Sequence, residues 1–142
     1  MTVHRSAAYP AVYALLRIAA DLADHAVQTD HQATHKAKAG AEGHTALAGH
    51  VASYVATQGA ALILGNRLLG LGLRPRGIAA ALALSGATHY LIDRRWPVRR
   101  FAEVTRKTNF YDLGGPLGGA YRLDQAAHHL AEGIAAYLAV RD

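Results

Sequence analysis

The chain has 142 residues, 15 Lys and Arg against 10 Asp and Glu, a net charge of +5 with His neutral, nine His and no Cys. That length suits one domain, residues 1–142, which buries about two thirds of its unfolded surface without a cross-link. The missing Cys excludes disulfides, thiol nucleophiles, iron–sulfur clusters and Cys-type zinc sites, and a composition 51% apolar and 18% charged excludes a disordered chain.

The opening stretch MTVHRSAAYPAVYALLRIAADLAD is interrupted by Arg17 and Asp21, so no signal peptide is expected. Pro10 suits a first helical turn. Val12, Leu15, Leu16, Ile18, Ala19, Leu22, Ala23 and Val27 then recur at helical spacing, which predicts a helix over Pro10–Gln28. Thr29 and Asp30 are candidate caps for a short continuation over His31–Lys38, ended by Gly40 to Gly43. A second long helix is expected over His44–Leu69, closed by Gly70, Gly72 and Pro75, and a third from Arg76 to Arg94 or Arg95.

Pro97 starts a shorter amphipathic helix in which Val98, Phe101, Ala102, Val104 and Thr105 are expected to face the core, with Arg99, Arg100, Glu103, Arg106 and Lys107 toward water. The run LGGPLGGAY, Leu113–Tyr121, reads as a loop, and a last helix follows over Arg122–Val140. No strand alternation and no internal repeat appears. The predicted fold is all-α, an antiparallel bundle of four main helices plus one short helix. The apolar stretches Val51–Gly65 and Gly77–Ile92 fall short of the roughly 20 predominantly apolar residues of a spanning helix, which favours a soluble, cytoplasmic bundle over an inner-membrane one.

Residues four apart on a helix share a face, so His and carboxylate at that spacing can hold one cation together. Asp24 and Gln28, His89 and Asp93, and Asp124 and His128 have this spacing, and His50 adds a further ligand type. Short connections make consecutive helices antiparallel. Asp24 lies near a C-terminal end, His50 near an N-terminal end, His89 and Asp93 at a C-terminal end, and Asp124 and His128 at an N-terminal end. All then fall at one end of the bundle, giving a polar His/Asp centre. The fragments THYLID and RLDQAAHHL set their polar pairs among apolar residues expected to be buried, where a charge needs a partner or a metal.

The fragments ADHAVQTD, GHVASY, THYLIDRR and RLDQAAHHL resemble, in order and approximate spacing from Ala23 to His129, a bacterial domain-of-unknown-function family, family 3307, of small His- and Asp-bearing helical proteins. The match covers about three quarters of the chain. Some members look membrane-embedded, and relatives resembling this chain occur among actinobacterial mobile-element genes. The family pattern has a large apolar residue after its first Asp, and His25 departs from it. The resemblance implies a shared polar centre and no known reaction.

Arg94, Arg95, Arg99 and Arg100, with Arg106 and Lys107 beyond, are candidate anion-binding residues, and Trp96 and Phe101 lie among them. Arg94–Val98 offers only a loose turn for a helix-turn-helix. His31 and His35 stand four apart but lack the HExxH pattern, and read as incidental to an exposed helix and loop. There is no GxxxxGK sequence, no GxSxG context around Ser6, Ser53 or Ser85, and no Glu-x-x-His pair of the di-iron carboxylate type.

The leading expectation is a metal-dependent hydrolase-like bundle acting on a phosphate ester or other anionic small molecule. In it, His50, His89, Asp93, Asp124 and His128 hold one or two divalent cations, Zn, Mn or Fe, which lower the pKa of bound water. Asp24 is a further ligand or the general base, and Gln28 orients a ligand or the substrate. One alternative is a nucleic-acid-binding accessory or regulatory protein of a mobile element with a buried His/Asp network. Another is a membrane-associated structural protein.

Overall fold

The computed structural model describes residues 5–115 and 117–141, with side chains from residue 7 onward; the opening residues of the stretch read for a signal peptide, and Pro116 of the Gly-rich run, lie outside that range. The fold is all-α. Helix α1 (Arg5–Leu22) continues into a π-helical turn, Ala23–Val27, and is followed by α2 (Asp30–His35), α3 (Gly40–Leu69), α4 (Pro75–Asp93), α5 (Trp96–Val104), α6 (Thr108–Tyr111) and α7 (Gly119–Arg141).

The long helices α1, α3, α4 and α7 pack in a ring, each against two neighbours. Their pairings run in opposite senses. Along α1 and α3, Asp24 meets His50 and Leu15 lies against Gly65. On α3 and α4, His50 meets His89 and Gln58 meets Ser85. On α4 and α7, Gly77 lies against Ala139 while Asp93 meets His128. On α7 and α1, Gly133 receives the Tyr9 hydroxyl.

Local chemistry sets the boundaries. Thr29 accepts from the Gln32 amide and Gln32 Oε1 accepts from the Thr29 amide, a reciprocal cap that starts α2, which ends at His35, three residues short of Lys38. Gly40 to Gly43 form the first turn of α3 instead of a break. A Cβ at Gly43 would lie 2.0 Å from the Lys38 carbonyl oxygen, so glycine there lets the preceding turn fold down onto the helix. Gly70, at φ +61°, ends α3 in the left-handed region. Asn66 then bonds both the amide and carbonyl of Leu73, folding the chain back toward Pro75.

Three further expectations are corrected. The first helix begins before Pro10, which is interior, because buried Ala8 and the bond from Tyr9 to the Gly133 carbonyl hold the extra turn against the bundle. In α5 only Val98 and Ala102 are buried; Phe101, Val104 and Thr105 are exposed because this short helix covers the bundle with one narrow edge. The Gly-rich loop is shorter than expected, with α6 ahead of it and α7 starting at Gly119, where a Cβ would overlap the Phe110 carbonyl.

Four-residue stripes line the bundle interior: Val12, Leu16, Ala20 and Asp24 on α1; Leu62, Gln58, Tyr54 and His50 on α3; Ala81, Ser85, His89 and Asp93 on α4; Ala136, Glu132, His128 and Asp124 on α7. Read across the helices, they grade from an apolar end to an end of imidazoles and carboxylates. The apolar end is completed by Leu71, Leu73, Ala135 and Ala139. Among the described residues one helix, α3, is long and apolar enough to cross a membrane. Its inner stripe carries His50, Tyr54 and Gln58, all buried in the bundle.

Glycine contacts test this packing. A Cβ at Gly77 would stand 2.7 Å from the Ala139 carbonyl oxygen, whereas at Gly133 its nearest neighbour is the Tyr9 hydroxyl at an ordinary 3.4 Å. Alanine is normally favoured over glycine within a helix by about 1 kcal/mol. Chemical denaturation should show Gly133→Ala stabilising by up to about 1 kcal/mol and Gly77→Ala destabilising by about 1–3 kcal/mol. Equal signs would contradict the close approach of α4 and α7.

Candidate metal centre

The centre begins with an irregularity in α1. At Ala23–Val27 the helix widens to a π turn in which the Gln28 amide bonds the Ala23 carbonyl at 2.9 Å. Such turns re-aim side chains and are frequent at functional sites. This one carries Asp24, whose Oδ1 lies 3.1 Å from His50 Nε2 and 3.5 Å from His89 Nε2.

From α4, Asp93 Oδ2 lies 3.4 Å from His50 Nε2 and 3.1 Å from His89 Nε2, and the two Nε2 atoms are 2.9 Å apart. Four donor atoms thus face one another, with five of their six separations between 2.9 and 3.5 Å. Ligands about 2.0–2.2 Å from a tetrahedral ion are separated by about 3.3–3.6 Å, close to these five separations, and the ligand atoms of Asp24, His50 and His89 all lie within 4.8 Å of one another. From α7, His128 Nε2 stands 3.6 Å from both Asp93 Oδ1 and Asp124 Oδ2.

Ring contacts orient the imidazoles. Tyr54 stacks on His89 with centroids 3.7 Å apart, and His128 packs against the same ring at 4.5 Å. The Nδ1 atoms of His50 and His89 are buried without hydrogen-bond partners. Below them lies a polar layer that sequence reasoning missed. Arg17 donates to both oxygens of buried Glu132 at 2.9 Å, and the Tyr54 hydroxyl donates to Glu132 Oε1. Gln58 donates to the Tyr54 hydroxyl and accepts from Ser85. The available signal was the same four-residue spacing continued inward, from His50 to Tyr54 and Gln58, from His89 back to Ser85, and from His128 to Glu132.

Lys36 was missed as well. Its Nζ lies 2.8 Å from Asp93 Oδ2, placed there by the turn after α2. Arg94 holds that turn in place by donating to the carbonyls of Lys36 and Lys38.

A cavity of about 470 Å³ opens over the centre, with Asp24, Gln28, Lys36, Asp93, Asp124 and His128 in its wall. Gln28 Nε2 is buried there without a hydrogen-bond partner. Of the four arginines singled out for anion binding, Arg95 lines this cavity. Arg94 is committed to backbone carbonyls, Arg99 faces Glu103 and Asp112 above the Tyr111 ring, and Arg100 pairs with Glu103. The polar groups of THYLID and RLDQAAHHL are buried as expected, His89, Asp93 and His128 among them, with Ile92 beside them, while Leu91 and Leu130 face outward. On the surface, His31, His35 and Glu42 form a separate group whose ligand atoms lie within 4.8 Å of one another.

Burial pushes the Asp93 carboxyl upward, but contacts with His128, His50 and His89 outweigh it and hold it far below the usual carboxylate range. Asp24 is likewise lowered, against burial, by His50, His89 and Lys36. Burial opposes protonation of His50 and His128, yet Asp24 and Asp93 raise the first and Asp93 and Asp124 the second. For His89 burial prevails and the imidazole is lowered. Burial raises Asp124 despite His128.

The chain is therefore an all-α bundle with a buried His/Asp cluster, fit to bind a metal ion, under a polar cavity. No family model, no curated protein and no solved structure matches it.

The shifts predict opposite pH dependences in chelator-treated protein. A raised imidazole stabilises the fold fully below its ordinary value of 6.5 and loses that contribution as pH rises through its folded value. The stability difference between wild type and His128→Gln should therefore shrink from pH 6 upward. A lowered carboxylate stabilises above its ordinary value of 3.8 and loses that contribution as pH falls. The difference between wild type and Asp93→Asn should shrink in acid. Urea titrations across pH that gave two flat differences would contradict the assigned contacts.

Proposed function

We propose that the chain is a metal-dependent hydrolase acting on a phosphate ester or another small anionic molecule, working in the cytoplasm and sharing its polar centre with the family it resembles. The observation that carries the reading is the convergence of His50 Nε2, His89 Nε2, Asp24 Oδ1 and Asp93 Oδ2 beneath a cavity whose wall includes Lys36 and Arg95. With both imidazoles deprotonated at Nε2, four lone pairs face one another, and a cation among them removes their repulsion. Imidazole and carboxylate without thiolate suit Zn, Mn or Fe.

A bound cation would supply an acidified water and polarise the scissile group. The chain's own groups do the rest. Asp24 and Asp93 supply ligand charge, and the unpartnered amide of Gln28 is free to donate to an anion or to the attacking water. Lys36 and Arg95 set the preference for negative charge. Arg95 holds φ +62°, a conformation that costs a non-glycine residue about 1–3 kcal/mol, at the mouth of the cavity.

A second reading has its own observation. The Lys36 ammonium beside Asp93 offers the centre a cation that is part of the chain. On that reading the cluster is a buried ion-pair network fixing the bundle, in a nucleic-acid-binding accessory protein or, in a further variant, a membrane-associated one.

Two experiments separate these readings. Protein purified without a His tag should gain about 2.7 kcal/mol of stability from metal at 100 times its dissociation constant, and His50→Ala should abolish both this gain and metal-dependent hydrolysis of a panel of phosphate esters. Melting indifferent to Zn, Mn and chelator would leave the network reading. Metal-loaded protein that hydrolyses nothing in the panel would remove the hydrolase and keep the metal centre. Arg95→Gly should raise stability by about 1 kcal/mol as the strained backbone relaxes, while weakening inorganic phosphate binding by about tenfold or more; calorimetry of both properties checks the pair, and unchanged phosphate affinity would remove Arg95 from the site.

A further inference from the structure

We propose that the centre holds two divalent cations bridged by the carboxylate of Asp93, an inner one held by four protein ligands and an outer one open to the cavity. The inference rests on the metal-binding reading above and adds the number of ions, their ligand sets and their division of labour.

The two oxygens of Asp93 face different partners. Oδ2 is turned to His50 and His89, at 3.4 and 3.1 Å, with Asp24 completing that set. Oδ1 is turned to His128, at 3.6 Å, whose Nε2 also stands 3.6 Å from Asp124 Oδ2. Asp24, His50 and His89 form one group of ligand atoms within 4.8 Å of one another, and Asp93, Asp124 and His128 form another. A carboxylate with one oxygen in each set is the usual bridge between ions about 3.5–4 Å apart.

The sets differ in access. His50 and His89 are 0% and 1% exposed and lie behind the cavity wall, and with Asp24 and Asp93 Oδ2, which border the cavity, they offer the inner ion four protein ligands. Asp124 and His128 line the cavity, and with Asp93 they provide three ligands, leaving coordination positions for water and substrate. Sites with four protein ligands are structural and open three-ligand sites catalytic. Water activation therefore belongs to the outer ion, and the inner one fixes the bridging carboxylate.

Charge agrees with this division. Three carboxylates and Lys36 give the centre a charge of about −2 with neutral imidazoles, which one dication cancels. A second leaves an excess of about +2, which an anionic substrate balances. Gln28, unpartnered in the same wall, is placed to donate to that anion.

The test uses the full chain carrying His31→Gln and His35→Gln, so that the surface group cannot supply an ion. It is loaded with Mn(II), dialysed, and measured by elemental analysis and electron paramagnetic resonance. Two Mn per chain with an exchange-coupled signal is the expected result, and His128→Gln or Asp124→Asn should bind one Mn with the coupling lost and hydrolysis abolished. One Mn per chain before those changes, or two without coupling, would overturn the bridged pair and leave the single-metal reading standing. No bound Mn would overturn both. If neither variant folds by circular dichroism, the stoichiometry and coupling of the parent chain decide the question alone.

Discussion

Burial of three imidazoles and of the Asp93 carboxylate at one end of a helical bundle is the constraint on which the rest of this structure depends. His50, His89, His128 and Asp93 are all withdrawn from water, and a buried charge is tolerated only when paired or ligated. The surrounding chain is arranged to meet that requirement. The π turn aims Asp24 inward, the capped α2 and its following turn deliver Lys36, and Arg94 holds that turn by its carbonyls.

The polar layer beneath the centre follows from the same constraint. Tyr54 is pressed face to face on His89, and its own hydroxyl then requires partners away from water, which Glu132 and Gln58 provide. Glu132 in turn is matched by Arg17 from α1. Each of the four long helices contributes to this layer, through Arg17, Tyr54 and Gln58, Ser85 and Glu132. The bundle therefore has one specified register, since sliding any helix by a turn would leave a buried polar group unpaired. The apolar end around Leu62 and Ala136 supplies burial energy with less directional demand.

Placement of cations around the cavity separates residues that composition alone treats as equivalent. Arg99 and Arg100 are answered by Glu103 and Asp112 on the surface, and such exposed pairs contribute little. Lys36 and Arg95 are instead directed to the mouth of the centre. Strain at Arg95 and the unpartnered amide of Gln28 fall around the same opening, where structural cost often accompanies function.

The helical class was legible in the sequence because apolar residues recur at helical spacing and Pro and Gly punctuate the chain; the spacing that joins His89 to Asp93 and Asp124 to His128 was legible because four residues make about one helical turn. Those are local properties, and one chain's sequence determines them. Which face of each helix turns inward was not legible. Leu91 and Leu130 are strongly apolar and yet face outward, because mutual pairing of the His and Asp groups across helices sets which face of the helix turns inward. Lys36 and the π turn gave no signal for the same reason, and Glu132 gave only its four-residue spacing from His128. Their partners lie on other helices, and only the tertiary structure decides which distant charges meet.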